Sequence, residues 1–411
     1  MGTPGSGDSV ACVTDPGSSN PFEGFPLFGD LAKLLGQGGQ GVPWDAARSL
    51  AVAVATDNQS EPNVDPLERM KLEQLARVAE LHVANLTGLP TTVTGRELTV
   101  LPVTRGYWAQ RTLEDYRPLL EKLAGSLGAP DAAAGGGEDG VPEDQLSAML
   151  GPLIQAMQPM MVAMTAGSMV GHLARRSLGQ YDLPIARTPS DELLIVVPNL
   201  DAFGGEWSLP ADDLRLWICL HEIAHHTVLA VPHVRQCLER LLTRYATSFR
   251  TDPRALEEHL GDLDLTGGPE SMASSLQQVL GEPGALLGAI QSDEQRSLLP
   301  QLEATVAVVV GVVDHVMDEV GAKFISSYGM LTEALRRRRV ETGDADRFVE
   351  RLLGLELSQA TYDRGTRFVD GVLERAGPEG LGRLWEGERM LPSPPEVDAP
   401  GLWLARIELP D

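Results

Sequence analysis

The chain has 411 residues, of which 43% are hydrophobic and 22% are charged. This apolar content can bury the core of one large domain or two medium ones, which excludes a chain that is disordered throughout. The formal net charge of -25 at pH 7 argues against nucleic acid or an anionic membrane surface as a partner. The three cysteines are too few and too scattered for a disulfide framework.

The N-terminal part of the chain is predicted to be a tail followed by helices. Residues 1–20 are rich in Gly and Ser and lack the basic and apolar segments of a signal peptide, so we expect a disordered tail and a cytoplasmic protein. Apolar periodicity predicts helices over 43–56, 64–86 and 104–127, the second capped by Asp65 with Pro66 in its first turn. Residues 21–127 thus form an N-terminal helical region. The Gly- and Ala-rich run 128–142 is a linker or a surface loop.

Residues 143–411 form the second region, either separate from 21–127 or continuous with it as one domain. It begins with a Met-rich segment, 146–173, that has no charged residue and is long enough to cross a bilayer. Pro152, Pro159 and His172 inside it favour a buried core helix, so we predict no membrane insertion. The run ELLIVVPNL at 192–200 predicts a strand, and helical patterns fill most of the remainder. The predicted class is mainly α with a small β-sheet (α+β).

The chemically informative motif is HExxH, formed by His221, Glu222 and His225. A spacing of four residues places both imidazoles on one face of a helix, where they can bind one Zn²⁺. Glu222 is then expected to take a proton from a metal-bound water as the general base. The apolar residues on both sides of the motif predict a buried helix. Burying two histidines and a glutamate is costly unless their polar groups have hydrogen-bond or metal partners. His226 points about 100° away from His225 and is expected beside the site or in solvent, and His233 in a loop at its rim.

Several segments together resemble one known family. They are HEIAHH, NPFEGFPLFGDLAKLL, SEPNVDPLERMKLEQLARVAELHVANLTGL, GHLARRSLGQYDLP, GVVDHVMD, SYGMLTEALRRRR and LWLARIELP. In these segments the chain resembles the actinobacterial zincin-like hydrolases, often described as zinc-dependent metalloprotease-like proteins. The resemblance covers nearly everything after the tail. It implies a zincin-like domain over 143–411 with HExxH on a buried helix.

The resemblance also exposes a departure from the family pattern. Relatives carry a glutamate before the glycine of VAVVVGVVDHVMD, as in gluzincins, where that glutamate is the third zinc ligand. Val310 stands at this position and cannot bind zinc. Asp314, four residues on, is expected either to orient a zinc-bound histidine or to replace the missing ligand. Glu303 and His315 are less favourable substitutes.

The leading hypothesis is therefore a zinc-dependent hydrolase of peptide or amide bonds. His221, His225 and Asp314 would bind Zn²⁺, Glu222 would activate water, and the partner would be a peptide or protein substrate. The alternative is a degenerate zincin that lacks full metal coordination and acts as a binding or scaffold protein. Tyr328 and Tyr362 are candidate oxyanion donors that no pattern places at the site. The run Arg336–Arg339 is interpreted as a solvated helix face.

Overall fold

The computed structural model describes residues 41–128, 145–185, 187–251, 289–290, 292–340, 344–355 and 357–409. The predicted tail at 1–20 and all but the first residue of the predicted linker at 128–142 lie outside these residues. The chain forms two compact units. The smaller comprises Met1–Gly41 and Glu143–Met157, and the larger comprises Val42–Pro142 and Gln158–Asp411. Apart from the first residues of the helix Gln145–Arg176, everything below concerns the larger unit, and the predicted domain boundaries stay predictions.

The first helices lie within two residues of the predicted ranges. They are α1 (Trp44–Thr56), α2 (Pro66–Thr87) and α3 (Arg105–Gly128). Helix α2 begins as its sequence predicts, because the Asp65 carboxylate accepts a hydrogen bond from the backbone N–H of Leu67 at 2.9 Å. It ends at Gly88, whose φ of 66° is in the left-handed region that glycine adopts easily.

A small parallel sheet packs against α2. Strand β1 (Thr99–Val103) pairs in parallel with β2 (Glu192–Val196), with Thr99 opposite Glu192. The chain crosses from β1 to β2 through α3 and the Met-rich helix α4 (Gln145–Arg176). The predicted strand at 192–200 is too long, because Pro198 lies in the first turn of helix α5 (Val197–Glu206). Strand β1 was not predicted, since its five residues include Pro102 and show no clear alternation.

The remaining elements are almost all helical. In chain order they are α6 (Ala211–Ala230), α7 (Pro232–Thr247), β3 (Arg250–Thr251), β4 (Ala289–Ile290), α8 (Asp293–Val316), a π-helix (Met317–Gly321), α9 (Ala322–Phe324), α10 (Tyr328–Val340), α11 (Asp344–Leu353), α12 (Gln359–Gly382), two 3₁₀ turns (Arg383–Trp385 and Glu388–Met390), α13 (Pro394–Asp398) and α14 (Pro400–Ile407). Strands β3 and β4 pair antiparallel. The prediction of a mainly α chain with a small sheet is confirmed.

Helix α6 lies at the centre of the unit and carries the HExxH motif. Nearly all its residues from Leu214 to Leu229 are buried, because α2, α7 and α8 pack around it. Helix α8 packs in turn along α12. Among the described residues, one helical stretch, Asp293–Phe324, is long and apolar enough to cross a membrane, and 61% of its most apolar window is buried inside the protein. That buried share is what a core helix shows.

Candidate functional site

The imidazoles of His221 and His225 line one cavity of about 100 Å³, with ring centroids 4.4 Å apart. His225 Nδ1 donates to the carbonyl oxygen of His221 at 3.1 Å. His221 Nδ1 lies 2.9 Å from Glu222 Oε1 and donates to it while Glu222 is ionised. Within the described residues neither Nε2 atom has a hydrogen-bond partner. Both rings therefore present an Nε2 lone pair, as metal-binding imidazoles do.

Both histidines are neutral at pH 7. Burial, followed by the positive charge of Arg339, lowers the pKa of His221 to about 3. Burial also lowers the pKa of His225 to about 3, helped by the neighbouring His221.

The rings are held in place by aromatic neighbours, because Trp217 stacks on His221 and Tyr181 on His225, with centroids 4.8 and 5.9 Å apart.

Glu222 does not line this cavity. Its Oε2 accepts hydrogen bonds from the backbone N–H groups of Gln180 and Tyr181, at 2.6 and 2.8 Å. Gly179 leaves room for the carboxylate, since a Cβ there would overlap it. Burial raises the pKa of Glu222 to about 7, while His225 and the two backbone donors act in the opposite direction. The carboxylate thus orients His221 and fixes a loop, and its general-base role stays a prediction without support from this geometry.

The loop at 178–182 forms one wall of the cavity and is held from both sides. The indole Nε1 of Trp108 donates to the Gly179 carbonyl at 2.8 Å, and Arg187 donates to the Gln180 carbonyl at 2.9 Å. Gly179 also bridges antiparallel to Ile195 of β2. These bonds fix the position of the loop, from which Leu178, Tyr181 and Asp182 line the cavity.

Val310 lines the same cavity as the two histidines, on the wall where a third ligand would be needed. Its correspondence to a glutamate of the family stays a prediction. Asp314, Glu303 and His315 do not line the cavity. Burial raises the pKa of Asp314 to about 6, against the opposing charge of Arg339, so its carboxyl lies in an environment that disfavours its charge. The roles predicted for Asp314 therefore stay predictions.

The cavity wall carries charged residues that no sequence pattern places there. Arg338 and Arg339 line it, whereas Arg336 and Arg337 pair with Glu333 on the exposed side of α10. The interpretation of the arginine run as a solvated face is therefore right for its first half only. The helical period explains the division, because residues two positions apart lie on different faces.

Carboxylates and aromatic residues complete the cavity wall. Asp182 and Glu350 line it, and so does Tyr362, whose ring centroid lies 3.9 Å from the Arg339 guanidinium carbon. Tyr328 lies elsewhere and donates its hydroxyl proton to Asp318 at 2.7 Å. The sequence did not single out Asp182 or Glu350: Asp182 lies in the family-like segment GHLARRSLGQYDLP, which carries no ligand pattern, and Glu350 lies in a segment without any motif.

The two other histidines near the motif contact other protein groups and do not line the cavity. His226 is buried rather than exposed, with Nδ1 3.0 Å from the Tyr181 hydroxyl and a buried Nε2 that has no hydrogen-bond partner among the described residues. His233 is the second residue of α7 and donates from Nε2 to the Leu384 carbonyl at 2.9 Å, and it does not line the cavity.

These residues supply two of the three protein ligands that a zincin metal centre uses. No three His, Cys, Asp or Glu side chains in the described part of the chain lie close enough together to hold one metal ion. The positive charge of the Arg339 guanidinium on the same wall repels a divalent cation and so disfavours its binding. The donor set present therefore does not fit a complete zincin zinc site.

Comparison with known proteins supports the fold and family. The family model of zincin-like metallopeptidases matches residues 42–404. The chain belongs to that family. No curated protein is similar in sequence at a significant level. A protein from Chloroflexus aurantiacus, whose crystal structure is described as that of "a putative hydrolase with a novel fold", is 23% identical, with a TM-score of 0.59 over 90% of this chain and 100% of that chain. At this identity the likeness concerns the fold.

Proposed function

We propose that this zincin-like protein binds a ligand in the histidine cavity and does not hydrolyse it through a resident zinc ion. The observation that carries the proposal is the position of Val310 on the cavity wall beside His221 and His225. A zincin needs a third donor there, and valine offers none. A two-imidazole site keeps only part of the affinity of a complete one.

The environment of Glu222 supports the same conclusion. A general base must reach the water that it activates, yet both oxygens of Glu222 are engaged with the protein and its side chain lies off the cavity. The cavity combines apolar and aromatic residues with polar groups of both charges, which can orient a small ligand.

A zinc-dependent hydrolase of peptide or amide bonds is the second candidate. The hydrogen bonds of the rings favour it, because both Nδ1 atoms are engaged by oxygen atoms, which leaves both Nε2 atoms as the possible ligands, and both residues line one cavity. Zn²⁺ would then be held by His221 and His225, and the partner would be a peptide or protein substrate in the cytoplasm.

Zinc affinity of Val310 variants separates the two candidates. We expect Val310→Glu to raise the affinity for zinc by at least about 10–100-fold. Loss of a residue that only supports a ligand lowers metal affinity by about that factor, and a new direct ligand should have a larger effect. Val310→Gln is the matched control, because it has a similar shape without the anionic donor. Competition with a zinc chelator, together with the metal content of the purified chain, gives the measurement. About one tightly held zinc per wild-type chain, with no gain in Val310→Glu, would refute the binding-protein proposal.

A further inference from the structure

Helix α2 presents an apolar stripe on its outer face. Its inner face is buried, and the main contact of that face is with α6. The outer face carries four large apolar side chains that are between 43% and 62% exposed: Leu67, Met70, Val78 and Leu81. A surface helix normally carries polar residues on this side. A contiguous exposed apolar stripe is typical of a surface that binds another macromolecule.

The order of the stripe is the same in both directions along the chain. Gln74, which is exposed, stands at its centre, with Met70 and Val78 four residues away and Leu67 and Leu81 seven residues away. At 100° per residue, all four apolar residues lie within about 40° of Gln74 around the helix axis. Spacings of three and four residues are those of a helix that packs along another helix.

Such a symmetric stripe is complementary to itself. When two copies of α2 lie antiparallel about a two-fold axis at Gln74, Leu67 of one copy is opposite Leu81 of the other, and Met70 is opposite Val78. Each pair meets because its members lie at equal distances along the helix on opposite sides of Gln74. A two-fold dimer requires this self-complementarity, since both copies use the same surface.

The charges of α2 also favour a second copy as the occupant. The net charge of -25 makes two copies repel each other over most of their surface. No carboxylate is found among the exposed residues of α2, whereas Lys71 beside the stripe is exposed. The three glutamates of α2 are bound within the same copy: Glu68 to Arg215, Glu73 to Arg69 and Glu80 to Thr91. Contact between acidic chains is therefore least unfavourable at this face.

Phe324 widens the stripe at one end. Its ring is 49% exposed and packs on His82, with centroids 4.1 Å apart. With Phe324 included, five half-exposed side chains supply roughly 500 Å² of apolar surface per copy, at about 100 Å² each. Two copies together then bury on the order of 1,000 Å², the lower limit for a specific interface. We propose that the outer face of α2 binds the same face of a second copy, antiparallel, in a weak two-fold dimer.

Sedimentation of the full chain over a concentration series tests the proposal. We expect a reversible dimer with a micromolar dissociation constant. Leu81→Glu should weaken the dimer at least about tenfold, because it places a carboxylate against an apolar side chain twice in each dimer. Leu402→Glu is the matched control, since Leu402 is also 59% exposed but lies on α14. A chain that stays monomeric at roughly 100 µM, a concentration well above a micromolar dissociation constant, or equal effects of both variants, would overturn the proposal.

A charge exchange tests the antiparallel register. Leu67→Lys alone should weaken the dimer, and the double variant Leu67→Lys/Leu81→Glu should restore it, because each lysine then meets a glutamate of the other copy. The two positions lie about 21 Å apart along one helix, so they cannot pair within a copy. A double variant as weak as the single ones would contradict the two-fold arrangement.

Crosslinking at the two-fold axis gives an independent test. Oxidised glutathione should convert the Gln74→Cys variant into a covalent dimer, because the two side chains at position 74 face each other across the axis. The wild-type chain measures the background from the three native cysteines, and Leu402→Cys is the control for an exposed thiol elsewhere. No more covalent dimer in Gln74→Cys than in Leu402→Cys would show that the axis does not pass through α2.

Discussion

Asp314 is a partly buried carboxyl group whose ionised form the fold disfavours. Burial raises its pKa from 3.8 to about 6. The folded state therefore keeps a proton that the unfolded state has released between these two values, so this group makes the protein less stable as pH rises through that window. Above pH 6 the loss is at most about 3 kcal/mol, the equivalent of the shift.

We accordingly expect Asp314→Asn to stabilise the protein, and more at pH 7.5 than at pH 5. Urea unfolding of both proteins at the two pH values measures the difference. Asp370→Asn, at an exposed position of α12, is the control and should change little. A loss of stability or of bound metal in Asp314→Asn at pH 7.5 would instead indicate that the carboxylate holds a cation.

Glu222 gives a second prediction at the scale of one residue, because it satisfies two buried backbone donors. Glu222→Ala leaves the N–H groups of Gln180 and Tyr181 without a partner, which we expect to cost about 2–5 kcal/mol of unfolding free energy. Glu222→Gln keeps an acceptor oxygen and should cost much less. Denaturant unfolding compares them, and two variants as stable as wild type would show that Glu222 is not a structural residue.

Helices α8 and α12 approach each other so closely that only glycine fits at their crossing. A Cβ on Gly365 would overlap the carbonyl oxygen of Ala307, and one on Gly311 would overlap the backbone of Gly365. This crossing also positions the cavity, because Val310 precedes Gly311 and Tyr362 lies one turn before Gly365.

We expect Gly365→Ala to destabilise the protein by about 1–3 kcal/mol, the usual cost of overpacking, because the obstructing atoms belong to the backbone. Gly329→Ala is the matched control, since nothing lies within 4 Å of a Cβ at that helical position, and alanine should there be neutral or stabilising. Thermal unfolding of both variants measures the effect. Equal melting temperatures would mean that the two helices can move apart at no cost.

The same elements show what could be predicted from the sequence. Helices α1, α2 and α3 repeat apolar residues at helical spacing, so local pattern was sufficient for them. Strand β1 depends on pairing with β2, which lies about ninety residues further along the chain, and no local pattern carries that information.

For the candidate site, the spacing of His221 and His225 was enough to place both rings on one face. The family resemblance directed attention to Val310, which lies on the cavity wall as that resemblance implied. Asp182, Glu350 and the second half of the arginine run could not be foreseen. Their place depends on how α10, α11 and the loop after α4 meet, and that is set by tertiary packing.

At the scale of the whole molecule, the burial of the apolar stretch Asp293–Phe324 and the net negative charge both predict weak membrane binding. The stretch Asp293–Phe324 could cross a bilayer by length and composition, yet most of its apolar window is covered by other parts of the protein. The formal net charge of -25 repels an anionic surface. Inserting the helix would require separating α8 from α7 and α12, which would expose a large apolar area to water.

We therefore expect the chain to stay in the supernatant when it is sedimented with phospholipid vesicles, at both low and high salt. Anionic vesicles test the charge argument, and uncharged vesicles test the apolar helix alone. Binding to anionic vesicles that high salt abolishes would reveal a local basic surface, against the charge argument. Binding to both kinds of vesicle at either salt concentration would instead show that α8 leaves the core, and it would contradict the assignment of α8 as the helix on which Val310 faces the histidines.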